Sequence, residues 1–191
     1  MKRMFGVITF GLMLISVAMA QAPRSGNGNP VSDAVRQIME RQSRNLIAAA
    51  EEMPAEHFDY KPTPQQRTFG ETVAHTAESN NFLCSSISGR APEAKFKPAV
   101  FPDSKTSAVD ALKGSFDFCK DALGSLDDSH LGDQVDFFGH RKVSRAMAAI
   151  ALTNDWADHY SAMATYLRLN KLLPPTAQKT GSESGVKPLK P

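Results

Sequence analysis

The 191-residue sequence lacks a Gly-rich phosphate loop, a Cys-x-x-Cys pair and a Gly-x-Ser-x-Gly elbow. Their absence removes the usual signatures of nucleotide-binding loops, thiol redox sites and α/β-hydrolases. Beyond the first 20 residues, no apolar run approaches the length of about 20 residues that spans a membrane. The sequence therefore has to be interpreted from the periodicity of its apolar residues and from a few polar residues placed among them.

The chain also has no marked excess of charge. It contains 22 Lys and Arg against 20 Asp and Glu, and two of the basic residues, Lys2 and Arg3, lie at the extreme N-terminus. Without these two residues the chain is electrically balanced. A balanced chain without a basic cluster argues against a nucleic acid as the partner and against electrostatic attachment to anionic lipids.

Residues 1–20 have the features of a secretory signal peptide. A basic start is followed by an apolar, acid-free run over residues 4–17, and Ala18-Met19-Ala20 then forms the small-x-small pattern of a cleavage site. The alternative is an uncleaved N-terminal anchor, for which the apolar run is short. We predict an exported protein, periplasmic or secreted, whose mature form begins at Gln21 and has no membrane segment.

Hydrophobic periodicity predicts an all-α protein. The bundle is expected to span residues 32–175, after a loose leader, 21–31, and before a disordered tail, 176–191. Within the bundle, residues 127–143 are expected to form a short hairpin or an irregular loop. The connection over residues 89–105 is long for a bundle and allows a crossover. Four helices are predicted, at residues 33–53 (capped by Ser32 or Asp33), 68–88, 106–126 and 144–173 (capped by Ser144).

Three polar residues fall on predicted core-facing stripes. Asp155 and His159 are four residues apart on the last helix, so they project from the same face, among apolar neighbours. His75 lies on the second helix between the hydroxyl residues Thr72 and Ser79, which are expected to orient its ring. Burying such groups without partners is costly, so we expect them to share a site. For His75 taken alone, a core histidine bonded to a backbone carbonyl or a hydroxyl is the favoured alternative.

The two cysteines, Cys84 and Cys119, lie on two different predicted helices. In an exported chain they can form one disulfide bridge. They can equally be free thiols that pack as small apolar groups. The residues by themselves leave both alternatives open.

Two segments carry a resemblance to a known family. MPAEHFDYKPTPQQRTFGETVAHTAE, which begins at Met53, and DWADHYSAMATYLRLNKLLPP, which begins at Asp155, resemble the DinB/YfiT-like superfamily of metal-dependent four-helix-bundle proteins. The resemblance extends over about residues 33–175. It implies an up-down-down-up bundle with a long connection between helices two and three. In that topology helices two and three run parallel, which brings Cys84 and Cys119 to similar heights.

The same resemblance implies a divalent metal bound by one histidine of helix two and two histidines of helix four. The matching positions here are His75, Asp155 and His159, so a carboxylate replaces one imidazole. Two imidazoles and one carboxylate suit a transition metal, with zinc favoured over iron, nickel or manganese. Family activities include thiol-cofactor-dependent transferases and isomerases, but those cofactors belong to the cytosol and fit an exported member poorly.

Two functions of different classes follow. One is a metal-dependent hydrolase or group-transfer enzyme that acts on a small molecule of unknown identity. The other is a non-catalytic exported bundle that binds a metal, a small ligand or a partner protein. The sequence leaves a homodimer as an open possibility.

Overall fold

The computed structural model describes residues 28–91 and 104–178, and within them the chain forms four α-helices and one small antiparallel hairpin. The hairpin consists of β1 (Gln134–Phe137) and β2 (Arg141–Ser144). The predicted signal peptide, most of the connection between helices two and three, and the tail from residue 179 lie outside the described residues. The helices are α1 (Pro30–Glu52), α2 (Phe69–Ser88), α3 (Lys105–Gly124) and α4 (Arg145–Leu169).

The prediction of four helices is confirmed, and of the two alternatives for residues 127–143 the structure contains the hairpin. The all-α class needs a correction to this extent only, a two-stranded sheet with four residues in each strand. Gly139 and His140 close the hairpin with φ angles of 69° and 57°. None of the helices that the structure describes is long and apolar enough to cross a membrane.

Helix α1 begins at Pro30 rather than at residue 33, and neither predicted cap starts it. Its cap comes from a distant part of the chain: the Asp128 carboxylate accepts hydrogen bonds from the backbone N–H groups of Val31 (3.0 Å) and Ser32 (2.8 Å). Desolvation raises the pKa of Asp128, but a hydrogen bond from the Ser32 hydroxyl (2.6 Å), the two backbone hydrogen bonds and the charge of Arg36 outweigh it and hold the pKa below its usual range. Pro30 suits the first helical position because it has no N–H group to satisfy.

Helices α2 and α4 begin as the sequence predicts. Thr68 and Glu71 form a reciprocal capping box at the start of α2, and the Ser144 side chain accepts a hydrogen bond from the Met147 N–H at the start of α4. Helix α4 ends at Leu169, four residues before the predicted end. The reason is Lys171, whose φ angle of 62° cannot continue a right-handed helix.

The core between α2, α3 and α4 contains a small polar network. The fully buried Trp156 donates from Nε1 to Oδ1 of Asn80 at 2.5 Å, and Asn80 donates from Nδ2 to Oγ of Ser115 at 2.9 Å. Buried polar groups in such a position have to be hydrogen-bonded, and these three satisfy one another. The network joins three helices at one level.

Of the two alternatives left open for the cysteines, the structure contains the disulfide. Cys84 and Cys119 are bridged, with Cα atoms 5.2 Å apart. This pair and the Asn80–Ser115 pair are both separated by 35 residues in the chain. A step of four residues along α2, from Asn80 to Cys84, is thus matched by a step of four in the same direction along α3, so the two helices run in the same direction.

Candidate metal centre

The predicted site residues are brought together where α2 faces α4. The ring centroids of His75 and His159 lie 5.1 Å apart, with the ring planes at 79°. Nε2 of His159 lies 3.3 Å from Oδ1 of Asp155, one helical turn earlier. All three side chains therefore share one location, as the sequence stripes predict.

These side chains lie at the edge of the core rather than at its centre. The side chains of His159, Asp155 and His75 are 10%, 23% and 33% exposed. On α4, the buried residues Leu152 and Tyr166 lie before and after Asp155 and His159 on the same face. The site is thus walled by apolar groups but reachable from solvent on the His75 side.

Two buried atoms of this site have no hydrogen-bond partner: Oδ2 of Asp155 and Nε2 of His159. The His159–Asp155 contact of 3.3 Å is within ion-pair distance but is not aligned as a hydrogen bond. Leaving a carboxylate oxygen and an imidazole nitrogen in this state costs free energy. Both atoms carry lone pairs, so the donor chemistry fits a divalent cation.

The third side chain, His75, lies near Glu78 as well as near the His159 ring. Nδ1 of His75 lies 3.8 Å from Oε2 of Glu78, its neighbour on the same helical face. Within residues 28–91 and 104–178, no three His, Cys, Asp or Glu side chains are grouped so that they could hold a metal ion. The structure therefore places two of the three predicted ligands, Asp155 and His159, 3.3 Å apart, with His75 beside them.

The electrostatics of the site favour a neutral His75. Burial is the largest cause that lowers the pKa of His75, the charges of Arg67 and His159 add to it, and Asp155 opposes it. Burial likewise raises the pKa of Glu78, against the opposing effect of Arg67. A neutral imidazole is the form that ligates metals.

Sequence reasoning missed Glu78 and Arg67. Glu78 had a local signal, because it stands three residues after His75 and shares its face. Arg67 had none, since it precedes the α2 cap in a loop. The hydroxyl of Thr72 donates to its own helix backbone at Thr68 rather than orienting His75, contrary to the prediction.

Two tyrosines near the site connect segments of the chain. Tyr166 donates from its hydroxyl to the carbonyl of Arg67 at 3.0 Å, and so holds the loop before α2 against α4. Burial and the neighbouring Tyr60 raise the pKa of Tyr166, against the effect of Arg67. The hydroxyl of Tyr160 lies 2.8 Å from that of Thr176.

The chain is thus a bundle of four helices in which a histidine–carboxylate pair on α4 lies beside a histidine of α2 at the edge of the core. The profile of the DinB superfamily matches residues 38–163, and the chain belongs to that superfamily. None of the curated protein sequences compared with it is a significant match.

Solved structures share this fold at low sequence identity. A DinB-like protein from Bacillus cereus ATCC 10987 has a TM-score of 0.63 and 21% identity, over 75% of this chain and 95% of its own. A DinB-like protein from Bacillus subtilis, YjoA, has a TM-score of 0.61 and 18% identity, over 77% of this chain and 99% of its own. A conserved protein from Enterococcus faecalis has a TM-score of 0.60 and 16% identity, over 73% and 96% of the two chains. At these identities the likeness concerns the fold alone.

Proposed function

We propose that this chain is an exported DinB-superfamily protein that binds one divalent metal ion through His159, Asp155 and His75. Zinc is the first choice, with iron, nickel or manganese behind it. The proposed role of the ion is hydrolysis or group transfer on a small molecule. A bound divalent ion would supply Lewis acidity at the open side of the site.

The observation that carries the metal proposal is the pair of buried atoms without partners, Oδ2 of Asp155 and Nε2 of His159. A hydrogen bond between the two residues would satisfy one of them, but the contact is not aligned for it. One cation accepts lone pairs from both atoms at once. The Asp155 carboxylate would also neutralise part of the charge of the ion in this partly buried place.

Glu78 is the side chain best suited to move a proton in this site. It faces His75, and burial raises its pKa, so it holds a proton more readily than a solvated glutamate. Arg67 adds a positive charge at the edge of the same site. Together these groups favour an anionic substrate or leaving group, which the cation and the guanidinium would stabilise.

A non-catalytic bundle is the second candidate, and one observation favours it. The three proposed ligands are not grouped as a metal set in the described part of the chain. A protein of this kind would bind a small ligand or a partner protein without catalysing a reaction. Metal-loaded wild-type protein without hydrolase or transferase activity on ester and phosphate-ester panels would support this candidate.

The proposed bundle order is up-down-down-up, and contacts between helix pairs support it. Helices α2 and α3 share a direction, as the two equal chain separations require. Arg36, early in α1, bonds the carbonyl of Leu123, late in α3. Phe69, early in α2, contacts Tyr166, late in α4. These pairs are the ones expected when α1 and α4 run opposite to α2 and α3.

Two features support export. The signal-peptide pattern of residues 1–20 is one, and the Cys84–Cys119 disulfide is the other, because disulfides persist in oxidising compartments. Intact-mass measurement on protein from the native host tests the proposal. A mature chain that begins at Gln21 is expected, and a chain that retains residues 1–20 would contradict cleavage.

The metal proposal is tested by elemental analysis of purified wild-type protein and of His159→Ala. About one equivalent of a divalent transition metal is expected in the wild type and none in the variant. Equal metal content in the two proteins would overturn the proposal.

A further inference from the structure

A second cleft lies at the end of the bundle, between the last turns of α2 and the β1–β2 hairpin. We refer to it as the hairpin cleft. Its volume is about 450 Å³, within the range of small-molecule sites. Phe82 lines it from α2, two helical turns from His75, or about 10 Å along the helix axis. The hairpin cleft is therefore separate from the candidate metal centre.

Positive charge dominates the lining of the hairpin cleft. Arg90, Lys142 and Arg145 line it, against the single carboxylate of Asp136. That carboxylate is already paired with Lys142, at 2.7 Å. Among the residues that the structure describes, the Arg90 guanidinium has no ion-pair partner. The cleft therefore carries two cationic groups that no carboxylate in its lining neutralises.

Arg145 provides the second observation. Its Nε atom is buried and has no hydrogen-bond partner in the described part of the chain. Its Nη2 atom lies 3.4 Å from Asp133, which also contacts His130 at 3.1 Å and so is shared. A buried guanidinium N–H without an acceptor is costly, and an oxyanion is the acceptor that matches the planar fork of arginine.

The two serine hydroxyls of the hairpin cleft are already engaged. Ser85 donates its hydroxyl hydrogen to the Arg90 carbonyl, and Ser86 donates to the Asp136 carbonyl. The backbone N–H groups of Arg145 and Ala146 donate hydrogen bonds to the carbonyls of Asp133 and Leu131, respectively. Recognition in this cleft therefore depends on the guanidinium groups rather than on hydroxyls or on the start of α4.

One wall of the hairpin cleft is apolar. The Phe82 ring stacks on Phe138, with centroids 4.5 Å apart and planes at 25°. The cleft is also far larger than an inorganic oxyanion would fill. A ligand that matches both the cations and the aromatic wall carries an acidic group and an apolar body.

We propose that the hairpin cleft binds a small organic oxyanion, a phosphate monoester or a carboxylate with an apolar group, through Arg90 and Arg145. The acidic group lies between the two guanidinium groups, and the apolar body packs against Phe82. The site does not depend on the metal centre, and the two are tested separately.

The test is calorimetric titration of metal-stripped, full-length mature protein at low salt. The probes are phenyl phosphate, benzoate, inorganic phosphate and phenol, and comparison of the first two distinguishes a phosphate from a carboxylate site. Saturable binding is expected for at least one of phenyl phosphate and benzoate, weaker binding for inorganic phosphate, and none for phenol. Arg90→Gln is expected to weaken the tighter of the two aryl anions by about tenfold or more, because it removes a charged hydrogen bond.

Arg44→Gln is the matched control, since it removes the same charge from an exposed position on α1. Its affinity is expected to equal that of the wild type. Arg145→Gln should weaken binding as Arg90→Gln does, and Arg90→Gln keeps the test decisive if the Arg145 variant fails to fold.

Three results would overturn the proposal. The first is the absence of saturable binding of either aryl anion to the wild type. The second is equal weakening by Arg90→Gln and Arg44→Gln, and the third is phenol binding as tight as that of the tighter aryl anion. Inorganic phosphate binding as tightly as the tighter aryl anion would overturn the role of the Phe82 wall. His159→Ala should bind the same probes with the same affinities as the wild type, whether or not the metal proposal is correct.

Discussion

The imidazole rings of His75 and His159 lie edge to face, 5.1 Å between centroids, on two helices that are far apart in the chain. Burial, and then the charges of Arg67 and His159, lower the pKa of His75, so the neutral imidazole of His75 is favoured. Asp155 also contacts His159, with Nε2 and Oδ1 3.3 Å apart. Helices α2 and α4 thus bring the side chains of His75, His159 and Asp155 close together.

The first prediction concerns the order of importance of the metal ligands. His159→Ala should abolish stoichiometric metal binding, because it removes a buried atom that faces the carboxylate. His75→Ala should weaken binding less, because His75 is more exposed and faces Glu78. Metal affinity measured by competition with a chromophoric chelator checks this order. His57→Ala, an exposed histidine outside the site, is the control and should bind metal as the wild type does.

The second prediction concerns Asp155. Replacing it by histidine, Asp155→His, restores the three-imidazole set that the family resemblance implies. The variant should retain zinc or bind it more tightly, whereas Asp155→Ala should bind it weakly. The same chelator competition measures both variants. Loss of zinc from Asp155→His to the level of Asp155→Ala would count against a ligand role for this position.

The third prediction concerns the pH dependence of stability in metal-free protein. Because the folded-state pKa of His75 is lowered from 6.5, the unfolded state binds more protons between that lowered value and 6.5. The free energy of unfolding should therefore fall as the pH drops below about 6.5, and this contribution should level off below the folded-state pKa. Urea titrations at several pH values measure it.

His75→Gln should lack this part of the slope, and His57→Ala should keep it. An identical pH dependence in wild-type protein and His75→Gln would show that His75 titrates alike in the folded and unfolded states.

The fourth prediction concerns the disulfide. Removing it in a Cys84→Ala/Cys119→Ala double variant should lower the free energy of unfolding by about 3–4 kcal/mol, because a loop of this size no longer restricts the unfolded chain. Denaturant titration measures the change. Adding a reductant should destabilise the wild type and leave the double variant unchanged. Two thiols titrated in the unfolded, unreduced wild type would contradict the bridge.

The fifth prediction concerns the buried Trp156–Asn80 hydrogen bond. Asn80→Leu leaves the Trp156 N–H without its acceptor and should cost about 1–3 kcal/mol. Trp156→Phe in the Asn80→Leu background should cost less than Trp156→Phe alone, because the unsatisfied donor is removed with the indole. A double-mutant cycle measures this coupling. Additive effects of the two substitutions would exclude it.

Much of the bundle could be predicted from local patterns. Apolar spacing located all four helices, and the start of α4 followed from Ser144, whose side chain caps a residue three positions away. The Thr68–Glu71 capping box at the start of α2 is equally local, although it was not predicted. The start of α1 could not be predicted in this way, because Asp128 caps it from another segment. Nor does local pattern indicate that the Oε1 atom of Gln42 is buried without a hydrogen-bond partner among the described residues.

The sequence by itself determined the helical class, the family and the stripes that carry His75, Asp155 and His159, because helical periodicity decides which side chains share a face. Only the tertiary structure decided that Cys84 meets Cys119, that Glu78 and Arg67 lie beside His75, and that Arg90 and Arg145 share one cleft. The physical reason is the range of the interactions. Periodicity and capping act within a few residues, whereas burial, charge neighbours and unsatisfied hydrogen-bonding groups depend on which distant segments pack together.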